Sequence, residues 1–348
     1  MVSLFVPLGV IFAASLVTLS SVAFDRSVLQ AIWGTLGLGV MIAFRFFDWR
    51  AVFNQAWLVR ALYGIAIALL VLVYFTAPEI RNVRGWFDWG PVHFQPVELM
   101  KAALVLIFAH YFSRKHVAIA HWKTLITSFL YFAIPAGLVA LQPDLGSALV
   151  LFGIWFGFIL VSGLPRNRLV FLVGLGAVGS LVLWNFIFQD YQRARIVGVF
   201  YPERDQLGIN YSVAQSKIAI GSAGWWGKGY GQGSQTQLKF LTEPATDFIF
   251  PAFVEEWGLL GGFLVLGAFF ALLFRILSVG LRAERNVEKF ICLGTATVFA
   301  WQCILNIGSA LGLFPVVGVT FPFLSYGGSS LLTNFFLLGI VNAIAVRS

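Results

Sequence analysis

The sequence predicts an all-α, polytopic integral membrane protein with about ten transmembrane helices and one large extracytoplasmic loop, residues 190–247. Three observations support this fold class. Of the 348 residues, 59% are hydrophobic and 11% are charged, whereas a typical soluble domain is about 25% charged. Charge-free stretches of roughly 20 residues, the length needed to cross a hydrocarbon core, recur along the chain, and the basic residues concentrate in the connectors between them. We therefore treat residues 1–348 as a single transmembrane domain.

Each apolar stretch is predicted to be a helix, because backbone groups in lipid must form their hydrogen bonds within the segment. The first stretch lacks a basic n-region and further spans follow at once, so we interpret it as a retained span and not as a cleaved signal peptide. The fourth is the least regular because Glu98 and Lys101 interrupt it, and residues 312–328, which contain several prolines and glycines, separate the last two. The predicted spans are residues 3–23, 28–45, 60–77, 95–112, 124–141, 146–163, 169–188, 248–274, 290–311 and 326–346.

The distribution of lysine and arginine predicts the orientation of these spans. Connectors between successive spans alternate between the two sides of the membrane. The short connectors on one side hold only Arg26, Arg81 and Arg84. The positive-inside rule therefore places both termini in the cytoplasm and residues 190–247 outside. The net charge of +8 is thus explained by orientation and predicts no nucleic-acid partner. Thirteen of the 23 basic residues lie in alternate connectors or at the C-terminus, namely Arg45, Arg50, Arg60, Arg114, Lys115, Lys123, Arg166, Arg168, Arg275, Arg282, Arg285, Lys289 and Arg347.

The informative polar residues share the extracytoplasmic side of this topology. Ionisable groups at membrane depth are costly and indicate functional sites. Their position predicts a site open to the extracytoplasmic space, where a donor substrate must arrive already activated, for example as a lipid pyrophosphate. They are Glu98 and Lys101 near the outer end of the fourth span, Asp144 in the turn before the sixth, Asp247 at the start of the eighth, and Ser325 and Tyr326 at the start of the tenth.

Several of these residues also have a structural interpretation. Glu98 and Lys101 are three residues apart and share a helix face. They form either a neutralising ion pair or a site in which Lys101 binds pyrophosphate and Glu98 orients it. Asp144 follows a proline in a turn, where aspartate is common as a helix cap.

Other groups favour structural roles. Glu255 and Glu256 lie roughly 12–14 Å beyond Asp247 along a straight helix, so they are expected to pair or to be partly protonated, and we favour a packing or hydrogen-bonding role. Cys292 and Cys303 lie within an apolar stretch and are interpreted as buried small side chains, without a disulfide framework or metal spacing. The histidines are scattered, so no metal cluster is predicted.

The predicted loop contains two further features. Arg193, Arg195 and Arg204 place guanidinium groups beside the membrane, where they suit either bidentate phosphate binding or anchoring to anionic headgroups. The glycine- and aromatic-rich run at residues 221–233 lacks Walker spacing, so it predicts no nucleotide-binding loop. Its aromatic side chains suit sugar stacking or, as we favour, the lipid interface.

Seven short motifs are spread over the chain: QPVELMK (95–101), QPDLGSA (142–148), DYQRAR (190–195), AQSKIAIGSAGWWGKG (214–229), TDFIF (246–250), EEWGLLG (255–261) and FPFLSYGGSS (321–330). Together they resemble the SEDS family (shape, elongation, division and sporulation proteins), which are polytopic peptidoglycan glycosyltransferases. The resemblance extends over essentially the whole chain. GQGSQTQL (231–238) and LFPVVGV (313–319) resemble the elongation branch of the family more than the division branch.

The resemblance implies polymerisation of lipid II into glycan strands at the outer face of the bacterial cytoplasmic membrane during cell elongation. A growing strand on undecaprenyl pyrophosphate is the donor, a lipid II hydroxyl is the acceptor, and a β-1,4 bond forms with inversion. The resemblance also implies a partner, a class B penicillin-binding protein that cross-links the strands. The catalytic carboxylate of the family corresponds to Asp247. The residues expected to bind substrate are Lys101, Glu98, Asp144, Arg193, Arg195, Arg204, Lys217, Ser325 and Tyr326.

Three positions depart from the family pattern. Ala245 stands where a histidine usually precedes Thr-Asp, so no imidazole is available there. Thr242 replaces the usual proline, which is expected to change how Glu243 is held. Val97 replaces the serine that commonly precedes the fourth-span glutamate, so no hydroxyl is available at that point.

The residues themselves are consistent with inverting glycosyl transfer. This reaction needs a base for the acceptor proton and positive charge for the departing pyrophosphate. Asp247 can be the base and Lys101 with the loop arginines can supply the charge. A divalent cation held by one carboxylate and the diphosphate is also compatible, and no other cofactor is implied.

Three other functions fit an integral membrane protein of this kind: a flippase or transporter of lipid-linked cell-wall precursor, a scaffold that recruits wall enzymes, and a division-type polymerase. A transporter should carry polar residues near the midplane and on both faces. The polar residues here cluster on the outer side, so we favour the enzyme.

Overall fold

The computed structural model describes residues 2–46, 50, 55–79, 83–90, 92–114, 121–205, 208 and 210–347. These residues form thirteen α-helices and one two-stranded antiparallel sheet. The helices are α1 (Val2–Val22), α2 (Phe24–Ala43), α3 (Ala56–Thr76), α4 (Pro96–Ser113), α5 (Trp122–Leu141), α6 (Leu145–Val161), α7 (Arg166–Val182), α8 (Asp190–Phe200), α9 (Tyr211–Ser222), α10 (Ser234–Gln237), α11 (Ile249–Arg282), α12 (Asn286–Ala310) and α13 (Gly328–Arg347), and the strands are β1 (Phe87–Trp89) and β2 (Val92–Phe94). A π-helical segment, Leu183–Ile187, follows α7.

Ten apolar helices, α1 to α7 and α11 to α13, coincide with the ten predicted spans. Within the described part of the chain, nine helices are long and apolar enough to cross a membrane when α7 is taken together with the π-helical residues that follow it, and α6 is apolar but has only 17 residues. The all-α, polytopic fold class is therefore confirmed. Arg81 and Lys115, which contributed to the predicted orientation, lie outside the described residues.

Helix α4 is the most enclosed of the nine candidate spans, with 83% of its residues buried. It packs against α3, α6 and α12. A β-carbon at Gly294 of α12 would lie 2.8 Å from side-chain atoms of Val105 and Phe158, and glycine permits such close helix packing. Glu98 and Lys101 therefore face protein and not lipid, which explains how the fourth span tolerates two charges.

Aromatic packing fills the interior at the end of the bundle opposite residues 190–247. We call the end that carries residues 190–247 the loop face. At the opposite end, Phe108 and Phe112 of α4 lie 5.5 and 5.8 Å from Phe158 of α6, and Phe158 lies 5.9 Å from Phe290 of α12, measured between ring centroids. These rings fill much of the interior there, beside an ion pair between Arg50 and the buried Glu288 at 2.9 Å.

The predicted loop, residues 190–247, folds into helices α8, α9 and α10 with irregular connections. The hairpin of β1 and β2, which was not predicted, leads into α4. The hydroxyl of Ser329 in α13 donates to the backbone carbonyl of His93 at 2.8 Å and accepts from the backbone N–H of Gln95 at 3.1 Å. The hairpin and the start of α4 are thereby tied to the start of α13.

The eighth predicted span is not one straight helix. At Gly258 the backbone has φ 74° and ψ 180°, and residues 249–257, which we call the half-helix, bend back onto the rest of α11. A β-carbon at Gly262 would lie 2.9 Å from Val254 and 3.6 Å from Phe250. In a continuous helix, twelve residues span about 18 Å, so only a sharp bend brings Phe250 to Gly262.

The bend corrects the predicted depth of Glu255 and Glu256. A straight helix would have placed them beyond Asp247 in the membrane, and this expectation is wrong. Glu255 instead forms an ion pair with Lys228 at 2.7 Å, and Glu256 accepts a hydrogen bond from the backbone N–H of Gly231 at 3.2 Å. Both partners belong to residues 190–247, so the two carboxylates lie at the loop face in the hydrogen-bonding role that the sequence favoured.

Candidate active site

Asp247 lies between the large loop and the half-helix, one turn inside the loop-face end of α12. The side-chain amide of Asn306 donates to the backbone carbonyls of Asp247 at 3.0 Å and of Val319 at 2.9 Å. Asn306 is 1% exposed, so this contact holds the Asp247 backbone inside the protein. The Asp247 side chain is partly exposed, and a β-carbon at Gly318 would lie 3.9 Å from its Oδ2 atom. Gly318 therefore borders the Asp247 carboxylate.

Ser325 holds the residue that precedes Asp247. Its hydroxyl accepts from the backbone N–H of Phe321 at 2.9 Å and donates to the carbonyl of Thr246 at 2.6 Å. Ser325 is buried and its hydroxyl is engaged by these protein groups. Its contribution to the site is therefore to position the backbone next to Asp247.

Tyr326 forms a hydrogen bond with Ala245, the residue before Thr246. Its backbone N–H donates to the carbonyl of Ala245 at 2.9 Å, and its ring lies 5.6 Å from the guanidinium carbon of Arg26. Burial raises the pKa of the Tyr326 hydroxyl, and the positive charge of Arg26 opposes that rise. The hydroxyl is therefore a hydrogen-bond donor at neutral pH.

The predicted pair of Glu98 and Lys101 is present in α4. Lys101 Nζ lies 2.7 Å from Glu98 Oε2, and the exposed fractions of the two side chains are 3% and 6%. A buried charge without a partner is strongly destabilising, so the pair is needed whether or not it binds substrate. It also keeps an ammonium group inside the protein near the loop face.

Asp144 caps helix α6. Its carboxylate accepts from the backbone N–H of Ser147 at 2.9 Å, from the Ser147 hydroxyl at 2.6 Å and from the side-chain amide of Gln95 at 3.2 Å. Burial raises the pKa of the Asp144 carboxyl, while the Ser147 bonds and the positive charge of Lys101 oppose the rise. The capping role is thus observed, and the electrostatic influence of Lys101 brings Asp144 into the same environment as the α4 pair.

Residues 317–319 join the turn before α6 to Asp247. A β-carbon at Gly146 would lie 2.0 Å from the carbonyl oxygen of Val317, so only glycine lets this segment pass so closely. The next residue, Gly318, borders the Asp247 carboxylate. The segment therefore lies between the cap of α6 and Asp247. We call four predicted residues the Asp247 cluster: Glu98, Lys101, Asp144 and Asp247.

A cavity of about 250 Å³ lies between α8, α9 and the segment before Gly318. Arg195, Lys217 and Glu203 are among the residues that line it. Arg195 Nη1 donates to the carbonyl of Val316 at 3.0 Å, two residues before Gly318. The cavity thus adjoins the Asp247 cluster and gathers two of the four predicted loop cations.

The other two loop cations bind within their own segments. Arg193 lies 3.7 Å from Asp190 and donates to the carbonyl of Asn185 at 3.3 Å. The Arg204 guanidinium carbon lies 4.4 Å from the ring centroid of Tyr201. The structure brings neither of these two arginines into the lining of the cavity.

Sequence reasoning did not single out Asn306, Gln95 or Ser147, although each contacts Asp144 or Asp247. Asn306 carried a usable signal, because a buried amide in an apolar span needs a partner. Gln95 and Ser147 belong to family motifs, but nothing in their chemistry indicated which carboxylate they would bind.

The departure at Thr242 is accommodated by a hydrogen bond. The Thr242 and Ser212 hydroxyl oxygens are 2.6 Å apart, which ties the end of the loop to α9. Glu243 follows with φ 48°, and its carbonyl accepts the backbone N–H groups of Thr246 and Phe248, each at 3.2 Å. A Thr–Ser contact thus restrains this turn where the family pattern has proline.

Metal-binding groups are not assembled in the part of the chain that the structure describes: no three His, Cys, Asp or Glu side chains there are grouped so that they could hold an ion.

The whole chain, residues 1–348, matches the FtsW, RodA and SpoVE family, described as "Cell cycle protein". The chain belongs to this family. The resemblance carried by the seven motifs is thereby confirmed.

Two curated relatives within the family have similar identity but different coverage. "Peptidoglycan glycosyltransferase MrdB" of Escherichia coli (strain K12) is 35% identical over 341 residues, which are 98% of this chain and 92% of the relative. "Probable peptidoglycan glycosyltransferase FtsW" of Thiomicrospira cyclica is 35% identical over 297 residues, which are 83% of this chain and 75% of the relative.

Two solved structures share the fold over nearly their full lengths. One, from work on "Structural coordination of polymerization and crosslinking by a peptidoglycan synthase complex", is 32% identical, has a TM-score of 0.84 and covers 100% of this chain and 98% of its own. The rod shape determining protein RodA of Thermus thermophilus is 31% identical, has a TM-score of 0.72 and covers 99% of this chain and 96% of its own.

Proposed function

We propose that this chain is a peptidoglycan glycosyltransferase that polymerises lipid II into glycan strands during cell elongation. Family membership and the names of the curated relatives support the activity class. The elongation role is supported by the motifs at residues 231–238 and 313–319. It is also supported by coverage, since MrdB matches 98% of this chain and the FtsW relative 83%. The division-type alternative is therefore not favoured.

The observation that carries the proposal is the arrangement of the Asp247 cluster. Asp247 is partly exposed; its backbone is held by Asn306 and its carboxylate lies beside Gly318. In the same cluster Lys101 pairs with Glu98 at 2.7 Å and acts electrostatically on Asp144, and the cavity lined by Arg195 and Lys217 reaches Val316, two residues before Gly318. A base and an array of cations are the two requirements of inverting transfer to a lipid-linked acceptor.

The proposed reaction follows from these positions. The oxygen of the lipid II sugar hydroxyl attacks the anomeric carbon of the growing strand, and the Asp247 carboxylate accepts the proton of that hydroxyl. The bond from that carbon to the pyrophosphate oxygen breaks, a β-1,4 bond forms with inversion, and undecaprenyl pyrophosphate leaves. Lys101, Arg195 and Lys217 stabilise the negative charge that develops on the leaving group.

The experiment is strand synthesis from labelled lipid II by purified protein in a bilayer, with wild type and Asp247→Asn. Asparagine has nearly the same shape but cannot accept a proton at neutral pH. A general base contributes about 100- to 10,000-fold, so polymer formation should fall by that order with an unchanged melting temperature. Asp88→Asn on the exposed β1 strand is the matched control and should remain active.

The outcome also separates the competing functions. Full activity in Asp247→Asn would refute the assignment of the base. Movement of lipid II across the bilayer without polymer would support the transporter.

We also propose that the protein lies in the bacterial cytoplasmic membrane with both termini in the cytoplasm and the Asp247 cluster outside. The positive-inside distribution supports this orientation. Cysteine substitutions at two exposed positions test this orientation. One position is Trp226, which is 82% exposed at the loop face, and the other is Arg285, which is exposed on the opposite side. Membrane-impermeant maleimide should label the first in intact cells and the second only after lysis. The reverse pattern would invert the topology.

The proposed partner is a class B penicillin-binding protein whose transmembrane helix packs beside the large loop. An exposed apolar stripe on α11 offers a surface, with Phe263 at 61%, Phe270 at 62% and Phe274 at 70% exposure. Co-purification with the cognate transpeptidase should raise polymerase activity. Replacing Phe263 and Phe270 by alanine should weaken the complex, whereas Phe75→Ala on α3 should not. If the transpeptidase neither associates nor stimulates in a bilayer, the pairing is wrong.

A further inference from the structure

Two carboxylates that the proposed reaction does not use are more deeply buried than Asp247. Glu255 and Glu256 are 0% and 1% exposed, and they lie in the last turn of the half-helix, just before the bend at Gly258. Burying a carboxylate is costly unless opposite charge and hydrogen bonds compensate it. The groups that compensate these two therefore show what the carboxylates hold together.

Glu255 collects donors from a short stretch of the large loop. Lys228 Nζ lies 2.7 Å from Glu255 Oε1, and the backbone N–H of Gln235 donates to the same oxygen at 2.9 Å. Oε2 accepts from the backbone N–H and the hydroxyl of Thr236 at 3.2 and 2.8 Å. The Ser234 hydroxyl adds a fifth donor at 3.4 Å. All five groups are donors, so they match a carboxylate and not an amide.

Glu256 joins the same stretch to the end of α1. Its Oε1 atom accepts from the hydroxyl of Ser21, from the backbone N–H of Gly231 at 3.2 Å and from the side-chain amide of Gln237 at 3.4 Å. Gln237 also donates to the Ser21 hydroxyl at 2.9 Å. Three separate parts of the chain therefore meet at this carboxylate.

Residues 227–237, which we call the strap, cross the end of the half-helix so closely that the backbones of the two segments are in contact. The N–H groups of Lys228 and Gly229 donate to the carbonyls of Glu255 and Glu256 at 2.9 and 3.0 Å. A β-carbon at Gly227 would lie 2.2 Å from the Glu256 carbonyl oxygen. The strap thus holds the half-helix through both its backbone and its two glutamates.

Asp247 lies just before the opposite end of the half-helix. A nine-residue helix is about 13 Å long, so a tilt of about 5° at the strapped end moves the other end by about 1 Å. A displacement of that size can change a rate by about 100-fold. The contacts at Glu255 and Glu256 are therefore able to control the position of the Asp247 carboxylate.

We propose that Glu255 and Glu256 are positioning residues that, with Lys228 and the strap, set the tilt of the half-helix and hence the place of Asp247 in the active site. This inference rests on the proposed function, because it concerns the same carboxylate. It assigns a role to two buried groups that do not touch the reacting atoms.

The first test is Glu255→Gln, which keeps the shape but directs an amide N–H₂ at groups that are themselves donors. The kcat for polymerisation should fall about 10- to 100-fold with little change in the KM for lipid II, because Lys101 and Arg195 are untouched. Amide hydrogen exchange of residues 245–253 should become faster. Glu284→Gln, at an exposed glutamate just after α11, is the matched control and should change neither quantity.

The second test restores the position by another route. A β-carbon at Gly262 would lie 2.9 Å from Val254 Cγ2, so the β-carbons of the two residues lie within about 4.4 Å of each other, below the upper limit of about 4.5 Å for a disulfide. In a straight helix the same positions would be about 12 Å apart. The two native cysteines are buried. When V254C and G262C are added to Glu255→Gln, oxidation should recover most of the lost kcat and slow the exchange, and reduction should reverse both effects.

Each outcome decides the proposal. Recovery under oxidation supports positioning. Wild-type kcat or unchanged exchange in Glu255→Gln would overturn it, as would a disulfide that forms without recovery or one that does not form in the folded protein. Failure of the proposed function can be told apart from failure of this inference. If the proposed function is wrong, wild-type protein makes no polymer, and hydrogen exchange still reports whether the glutamates hold the half-helix.

Discussion

Replacing Gly258 by alanine should destabilise the fold at the bend that positions Asp247. The combination of φ 74° and ψ 180° lies in a region that essentially only glycine occupies, and a strained conformation costs about 1–3 kcal/mol. The added β-carbon would also lie 2.3 Å from the carbonyl oxygen of Trp225 and 2.4 Å from the backbone nitrogen of Gly227. These are backbone atoms, and the N–H of Leu260 donates to that same carbonyl at 3.2 Å, so they cannot move aside independently.

Overpacking of this kind adds about 1–3 kcal/mol, so the total loss for Gly258→Ala should be about 2–6 kcal/mol. That is a large part of the roughly 5–15 kcal/mol by which folded proteins are stable. The measurement is thermal unfolding of the purified protein in detergent, with polymerase activity recorded alongside. We expect a melting temperature several degrees lower and activity that falls further than the folded fraction.

Gly267→Ala is the matched control on the same helix. No atom lies within 4 Å of a β-carbon at Gly267, and alanine is favoured over glycine in a helix by about 1 kcal/mol. Its melting temperature should stay the same or rise. If Gly258→Ala behaves like Gly267→Ala, the chain is not bent at Gly258 and the placement of Asp247 inside the bundle is wrong.

Two further predictions concern the rest of the Asp247 cluster. Glu98→Gln combined with Lys101→Met should fold, since a buried ion pair often exchanges for uncharged residues without loss of stability, but should be inactive; an active double variant would remove Lys101 from the site. Asp144→Asn should keep the cap on Ser147, because asparagine caps about as well as aspartate. Because the pKa of Asp144 is raised in the folded protein, the stability that protonated Asp144 contributes is complete below about pH 3.9 and is lost as the pH rises through the folded-state pKa. Asp144→Asn should therefore melt at the same or a higher temperature than wild type at pH 7. A clearly lower melting temperature at pH 7 would contradict the upward shift of the Asp144 pKa.

The fold class and the spans could be predicted because their causes are local. Lipid offers no hydrogen bonds to the backbone, so a long apolar run must be helical, and each of the ten predicted runs contains such a helix. The position of Asp247 was also predictable, because it lies where a polar loop gives way to an apolar run. The Glu98 and Lys101 pair followed from their spacing of three on one helix face. These conclusions needed no knowledge of what the helices contact.

The bend at Gly258, the enclosure of α4 and the sorting of the loop arginines were decided only by the tertiary structure. A glycine within an apolar run gives no sign of its φ angle, and the bend depends on Trp225 and Gly227, which belong to the preceding loop. Arg193 and Arg195 are neighbours of the same chemistry, yet only Arg195 reaches the cavity, because the Val316 carbonyl lies within its reach. These features depend on contacts between residues far apart in the chain, and the energy of such contacts is set by packing and burial, which a local sequence pattern does not contain.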